Sequence, residues 1–252
     1  MTVWFVGAGP GDPELITLRG ARLLQEAELV VYAGSLVNKA ILLHANPAAR
    51  LIDSAGLALD GLVEMMAEAV AKGQQVVRLH TGDPALFGAI QEQMDALQQL
   101  GIKSVMVPGV SSYAAAAAAV GRELTMPEIS QTVIITRMGG RTPVPEKENL
   151  RALAAHQAAM CIFLSVGMIE QVAAELLSVY PADTPVAVVE KASWPEERVI
   201  QATLAEIAQK VNAAGVTKTA MILVGDFLAE EKSRKSRLYA ADFSHGFREG
   251  IK

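Results

Sequence analysis

The sequence predicts an α/β fold of two α/β domains, the first on a mostly parallel sheet and the second on a mixed one. Three observations carry that prediction. Short apolar runs alternate with stretches of helical period through the first half, the pattern of strand–helix–strand units in a parallel sheet. Three of those runs break into loops at residues 7–13, 81–86 and 108–112, each ahead of a helical pattern. In the second half, residues 198–203 follow the run 186–189 too closely for a helical crossover, so that pair reads as an antiparallel hairpin.

In chain order, residues 3–14 (VWFVGAGPGDPE) pass from an apolar strand to a glycine-rich turn and a helix start. Asp12 suits the N-cap and Pro13 the first helical position. Leu15, Leu18, Ala21 and Leu24 continue at helical spacing. A second strand covers 29–32, Ala33-Gly34-Ser35 turns out of it, and 51–54 form a brief third strand. A helix over 62–71 ends at Lys72-Gly73, a cation followed by a C′ glycine. Strand 76–79 leads into His80-Thr81-Gly82-Asp83-Pro84, then a helix over 87–100 stops at Gly101. Strand 104–107 turns at Pro108-Gly109 into Ser111-Ser112, and residues 114–119 are all alanine, a strong helix former.

The character changes around 121–127, which places the domain boundary: 1–121, then 122–229, with a charged tail over 230–252. The second domain reads as strand 132–137, a polar loop 139–148, helix 148–156, strand 160–164, helix 168–179 and strand 186–189. Trp194-Pro195 makes a turn before strand 198–203, helix 204–213 and strand 220–224. The tail, with Lys232, Arg234, Lys235 and Arg237, is expected to be mobile or to lie across the surface.

Composition removes several function classes. A hydrophobic content of 51% with 19% charged residues marks a globular protein, and a net charge of −5 argues against a nucleic-acid surface. No charged-then-apolar leader pattern opens the chain, and no apolar segment reaches the ~18 residues of a membrane span. The expectation is a cytoplasmic protein without membrane or nucleic-acid partners. The lone Cys161 lies in an apolar run and reads as a buried core thiol, which leaves no disulfide and no cysteine-based zinc site.

The three loops share the carboxyl edge of the sheet, where open α/β folds bind ligands. A dinucleotide fingerprint G-x-G-x-x-G fails, because its sixth position is Asp12 and Pro10 interrupts the phosphate-cradling turn. Asp53 lies too far downstream for a ribose-binding acid, so a nicotinamide oxidoreductase is a weak alternative. None of the loops is a P-loop, Ser111 is not in a G-x-S-x-G elbow, and His44, His80, His156 and His245 show no metal spacing. His80 abuts the 81–86 loop and is the histidine placed to line a cleft. The loops suit a neutral or zwitterionic small ligand.

With all three loops in view, the sequence resembles, essentially end to end, the tetrapyrrole (corrin/porphyrin) methylases. The landmarks are the strand–GAGPGDP–helix opening, Gly82-Asp83-Pro84, and Pro108-Gly109-Val110-Ser111-Ser112. The resemblance implies two α/β domains with S-adenosylmethionine in the cleft between them, and a homodimer. Tyr32 through Val37, Glu123 through Glu128 with Gln131-Thr132, Gly140 through Glu146, Ser236 through Tyr239 and Asp242 through His245 are similar to the branch that methylates C11 of precorrin-4. Uroporphyrinogen III methylases carry Tyr-Asp-x-Leu-Val where this chain has Tyr32-Ala33-Gly34-Ser35-Leu36-Val37, so no catalytic base carries over.

Position by position, the resemblance implies cofactor contacts at Pro10, Thr81, Gly82, Asp83, Leu86, Ser111 and Ser112. On the second domain it implies Leu164, Ser165, Ala192, Thr219 and Ala220, with a one-residue choice of register at Leu164/Ser165. The substrate side is expected to draw on Tyr32, Ser35 and His80. A polycarboxylate substrate on a net-acidic chain also needs local cations, for which Arg78, Arg122, Arg137, Arg141 and Lys191 are placed; each also reads as an ordinary surface cation. The implied chemistry is methyl transfer from S-adenosylmethionine, leaving S-adenosylhomocysteine, to a nucleophilic macrocycle carbon without a metal or covalent enzyme nucleophile. Methylation of another precorrin carbon or of uroporphyrinogen III is the enzymatic alternative, and a tetrapyrrole carrier the non-enzymatic one.

Overall fold

A computed structural model describes residues 2–34, 36–229 and 236–251. Ser35 and the tail cations Lys232, Arg234 and Lys235 lie outside the described residues. The chain forms two compact units, Met1–Ala115 with Lys191–Glu197, and Ala116–Glu190 with Arg198–Lys252.

The first unit holds strands β1 (Thr2–Gly7), β2 (Leu29–Tyr32), β3 (Arg50–Asp53), β4 (Val76–His80) and β5 (Lys103–Val107). Their spatial order is β3-β2-β4-β1-β5 and every pairing is parallel, so the sheet expected to be mostly parallel is wholly so. Side chains alternate across it, which divides the core in two. Val6, Val30 and Leu79 pack with Leu23 and Leu24 of α1 (Leu18–Glu26) on one face. Phe5, Val31 and Val76 pack with Met66 of α2 (Leu59–Ala71) and Leu97 of α3 (Gln91–Gln99) on the other.

That division positions the site. The chain leaves β1 toward β2 by way of α1, and leaves β4 in the opposite direction toward β5 by way of α3. The carboxyl ends of the adjacent strands β1 and β4 therefore diverge to opposite faces, which opens the crevice of a topological switch point.

Two of the helix starts that differ from expectation bear on the loops. Asp12 does cap, its Oδ1 accepting from the Glu14 N–H at 2.9 Å, but it caps only the 3-10 turn Pro13–Leu15. Ile16 and Thr17 are extended, and α1 begins at Leu18 under a second cap in which Thr17 Oγ1 accepts from Gly20 N–H at 3.1 Å. The helix expected from residue 87 starts only at Gln91, because Phe87 (φ 54°) and Ala89 (φ 47°) are left-handed.

The chain passes between units within α4 (Ser112–Ala119), where Ala115, Ala116 and Ala117 are buried. The second unit holds β6 (Val133–Arg137), β7 (Ala159–Phe163), β8 (Pro185–Glu190), β9 (Arg198–Thr203) and β10 (Ala220–Val224) in the order β6-β7-β10-β8-β9. Only β6–β7 is parallel, and β8–β9 is the expected antiparallel hairpin. Ile162, Val188 and Ile222 pack against Leu150 of α5 (Leu150–Ala154), Leu176 of α6 (Ile169–Leu177) and Val211 of α7 (Ile207–Ala213). Cys161 is buried in this sheet, and burial pushes its thiol up to about 12, as befits an inert core residue. Residues 236–251 fold on themselves, with Arg248 Nη2 donating to the carbonyls of Leu238, Ala240 and Phe243. No helix among the described residues is long and apolar enough to cross a membrane.

Candidate functional site

The loops after β1, β4 and β5 meet through backbone rather than side chains. Ala8 N–H donates to His80 O at 2.7 Å, and Gly9 and Gly82 exchange both hydrogen bonds, at 3.3 and 2.7 Å. Such contact requires glycine. A Cβ on Gly7 would sit 2.6 Å from both Gly109 Cα and Gly82 O, and one on Gly109 would strike the same Gly82 carbonyl.

Asp83 fastens this junction. Its Oδ1 accepts from Ala85 N–H at 2.8 Å and its Oδ2 from Gly109 N–H at 3.0 Å, so one carboxylate ties the β4 loop to the β5 loop. Leu86 closes the same turn, N–H to Asp83 O at 3.1 Å. Ser111 is buried, and its carbonyl accepts from Ala114 and Ala115 at the start of α4; Thr81 and Ser112 are half-buried nearby in sequence. The three loops carry the carboxylates of Asp12 and Asp83 and no lysine or arginine. A cationic or zwitterionic ligand fits that donor set better than a phosphate does.

A fourth segment belongs to this unit; it carries Lys191 and Ala192, both expected at the site, and residues that the sequence reads only as a turn. Lys191–Glu197 returns from the second half of the chain. Ser193 Oγ accepts from Asp12 N–H at 3.0 Å, and Trp194 Nε1–H donates to Pro10 O at 2.9 Å. The indole occupies the space beside Gly11 where any side chain would have to go. In the sequence Trp194-Pro195 reads only as a turn, though a tryptophan among polar neighbours is a signal for a buried contact. Ala192 is buried, while Lys191 pairs with Glu196 at 3.7 Å and lies 5.6 Å above the Trp194 ring. Lys191 is thus already engaged.

Among the expected substrate residues of this unit, His80 is buried and stacks on Phe5 at 6.0 Å. Burial, and secondarily the Arg78 charge, push its imidazole down to about 3. It is neutral at physiological pH. Tyr32 packs into the α1-side core, and its carbonyl takes two hydrogen bonds from Ser54. Asp53 supports Gly34 instead of any ribose, its Oδ1 accepting from Gly34 N–H at 3.2 Å and Ala55 N–H at 2.9 Å.

In the second unit, the end of β7 and the start of β10 lie at one edge of the sheet, because the two strands are antiparallel. Leu164 follows β7 with φ 54° and is 63% exposed; Thr219 precedes β10 with φ 54°. Left-handed backbone is costly for leucine and more so for β-branched threonine, about 1–3 kcal/mol each, and such strain clusters at functional sites. Ala220 adjoins Thr219 and is half-buried. Ser165 is fully buried and saturated: its hydroxyl donates to Phe163 O at 2.6 Å and accepts from Met138 N–H at 2.9 Å. Of the two residues in the ambiguous register, Leu164 is therefore the one presented outward.

Arg137 ends β6 at this same edge. Its guanidinium donates to the carbonyls of Met138, Thr142 and Pro143, the last at 2.7 Å, and so shapes the 138–143 loop. Arg141 is exposed within that loop.

Residues 2–208 match the family of Tetrapyrrole (Corrin/Porphyrin) Methylases. A cobalt-precorrin-4 C(11)-methyltransferase of Methanocaldococcus jannaschii is 51% identical over 99% of this chain and 97% of its own length. The X-ray structure of a cobalt precorrin-4 methyltransferase, a cobalamin biosynthetic enzyme, superposes with a TM-score of 0.88 at 45% identity, covering 90% of this chain and 95% of that one. A uroporphyrin-III C-methyl transferase of Thermus thermophilus in complex with S-adenosylhomocysteine gives a TM-score of 0.77 at 30% identity over 93% and 96% of the two chains.

Proposed function

The chain belongs to the tetrapyrrole (corrin/porphyrin) methylases, and we infer from this that it methylates C11 of precorrin-4 or of cobalt-precorrin-4 in cobalamin biosynthesis. The observation that carries the substrate is identity of 51% across the full length of a relative with that activity.

S-adenosylmethionine is the methyl donor of this reading, supported by the S-adenosylhomocysteine held in the Thermus thermophilus relative. It supplies a methyl group on a positively charged sulfur, and the loop set of two carboxylates without a cation fits it. Pro10, Thr81, Gly82, Asp83, Leu86, Ser111 and Ser112 of the first unit would hold it, with Ala192 from the returning segment and Leu164, Ser165, Thr219 and Ala220 from the second unit. Asp83 acts by keeping loop backbone in place, and Ser165 by fixing the turn that leaves Leu164 exposed.

The residues' contribution is positioning. Aligning two bound reactants is worth roughly 7–11 kcal/mol of barrier. Backbone set by glycine contacts, by Asp83 and by the Trp194 clasp reorganises little on binding. Tyr32, Ser35, His80, Arg137, Arg141 and Lys191 are the substrate-side set, of which Arg137 acts by shaping the loop that bears Arg141. The working form is a cytoplasmic homodimer; Leu18 and Leu43, both among the most exposed leucines, supply apolar surface for such an interface.

Titration calorimetry with S-adenosylhomocysteine tests the cofactor assignment. Micromolar binding to the wild type supports it, and no binding by folded protein removes it.

A further inference from the structure

Arg78 and His80 alternate with Leu79 on β4 and so project from the same face of the sheet, toward α2 and α3. Arg78 is 5% exposed and His80 4%. The guanidinium donates through Nε to Gln93 Oε1 at 3.0 Å and through Nη1 to Val31 O at 3.3 Å, both neutral acceptors. Among the described residues no carboxylate pairs with it. His80 Nε2 is buried without any hydrogen-bond partner. A buried cation without a counter-charge and a buried ring nitrogen without a partner are each costly.

Both side chains line a cavity of about 280 Å³ that lies wholly within the first unit. Leu36, Leu57 and Leu86 give it apolar walls, and Phe87 and Ala89, the two left-handed residues ahead of α3, belong to the same lining. Strained backbone beside an unpartnered buried nitrogen and an uncompensated cation is the combination expected where a ligand completes the site.

We propose that this cavity is a subsite for one carboxylate-bearing side arm of the tetrapyrrole, with Arg78 as its anion anchor, a proposal that rests on the methyltransferase reading above. The volume falls just below the ~300–1,000 Å³ of sites for whole drug-sized ligands, which suits an arm and not a macrocycle. The leucines receive the methylene stem. The carboxylate accepts from the guanidinium and, in the tautomer protonated on the ring nitrogen facing it, from neutral His80. Glu92 is the one acid of the lining, and it disfavours a more highly charged anion such as a phosphate. Arg78 is a binding residue here; it makes no claim on the reacting carbon.

The test is the KM for precorrin-4, or its cobalt form, in wild type, Arg78→Met, Arg78→Lys and Leu57→Glu, with S-adenosylhomocysteine affinity measured in parallel by calorimetry. Arg78→Met removes a charged hydrogen-bond donor and should raise KM roughly 10–100-fold while leaving S-adenosylhomocysteine affinity within about twofold. Arg78→Lys keeps the charge without the fork and should fall between. Leu57→Glu places a second carboxylate at the partly exposed wall and should also raise KM. Unchanged KM in both Arg78→Met and Leu57→Glu overturns the proposal. If Arg78→Met does not fold, Leu57→Glu decides alone, an unchanged KM again overturning it. Failure of the wild type to methylate precorrin-4 in either form would instead remove the underlying function.

Discussion

Trp194 Nε1–H donates to the carbonyl of Pro10 at 2.9 Å across 184 residues of sequence. That single bond, with the Ser193 hydroxyl on Asp12 N–H, fastens a segment from the second half of the chain onto the loop after β1. The loop is thereby fixed from both ends of the sequence. Trp194→Phe keeps most of the ring and removes the donor, and should cost about 1 kcal/mol in urea unfolding. It should also weaken S-adenosylhomocysteine binding several-fold by calorimetry. Unaltered affinity would show that the clasp plays no part in cofactor binding.

Asp83 holds two amides with two oxygens. Asp83→Ala leaves both without their acceptor and should lower stability by about 2–3 kcal/mol while weakening S-adenosylhomocysteine binding. Asp83→Asn retains one acceptor and should lie between. Full stability in Asp83→Ala would show that the loops do not depend on this carboxylate.

Gly109 and Gly101 separate crowding from backbone strain. Gly109→Ala would drive its Cβ into the Gly82 carbonyl and the Gly7 backbone, whereas Gly101 (φ 73°) has nothing within 4 Å. Gly101→Ala should cost about 1 kcal/mol for the left-handed conformation alone. Gly109→Ala should cost more than that and abolish S-adenosylhomocysteine binding. Equal losses in the two variants would contradict the interlocked backbone.

Thr219 and Leu164 hold left-handed backbone that glycine adopts freely. Thr219→Gly should leave the melting temperature unchanged or raise it, while S-adenosylhomocysteine affinity falls. A marked drop in melting temperature would mean that the Thr219 side chain serves the fold instead.

His80 sets an acid limit on stability. Its folded-state pKa of about 3 lies below the ordinary 6.5, so the unfolded chain binds the extra proton. Its contribution is fully present above pH 6.5 and is lost as pH falls toward 3, at up to about 1.4 kcal/mol per pH unit. His80→Phe should flatten that part of the urea-unfolding stability profile. The same acid slope in both proteins would count against a buried neutral imidazole.

Much of this architecture was legible in the sequence because local rules and tertiary demands agree. The runs at 29–32 and 220–224 became strands with those bounds, and the close spacing of 186–189 and 198–203 identified the hairpin. The loops after β1, β4 and β5 were legible because strand, glycine and helix follow in order. Misreadings arose where a residue answers to a distant partner. Asp12-Pro13 carries a complete helix-start signal, yet Ile16 and Thr17 stay extended and Thr17 starts α1. Phe87 and Ala89 fit a helical pattern but line a cavity in left-handed backbone. In residues 191–197 only Trp194, a large aromatic among polar neighbours, hints at a buried contact, and it does not say with which unit.

The most direct test of the central claim is incubation of the purified protein with S-adenosylmethionine carrying a 13C-methyl group and precorrin-4, with and without cobalt, followed by carbon NMR of the product. The account predicts one labelled methyl on C11 in at least one of the two macrocycles, with stoichiometric S-adenosylhomocysteine. Label on another carbon, or no transfer to either macrocycle by folded protein that binds S-adenosylhomocysteine, would contradict it.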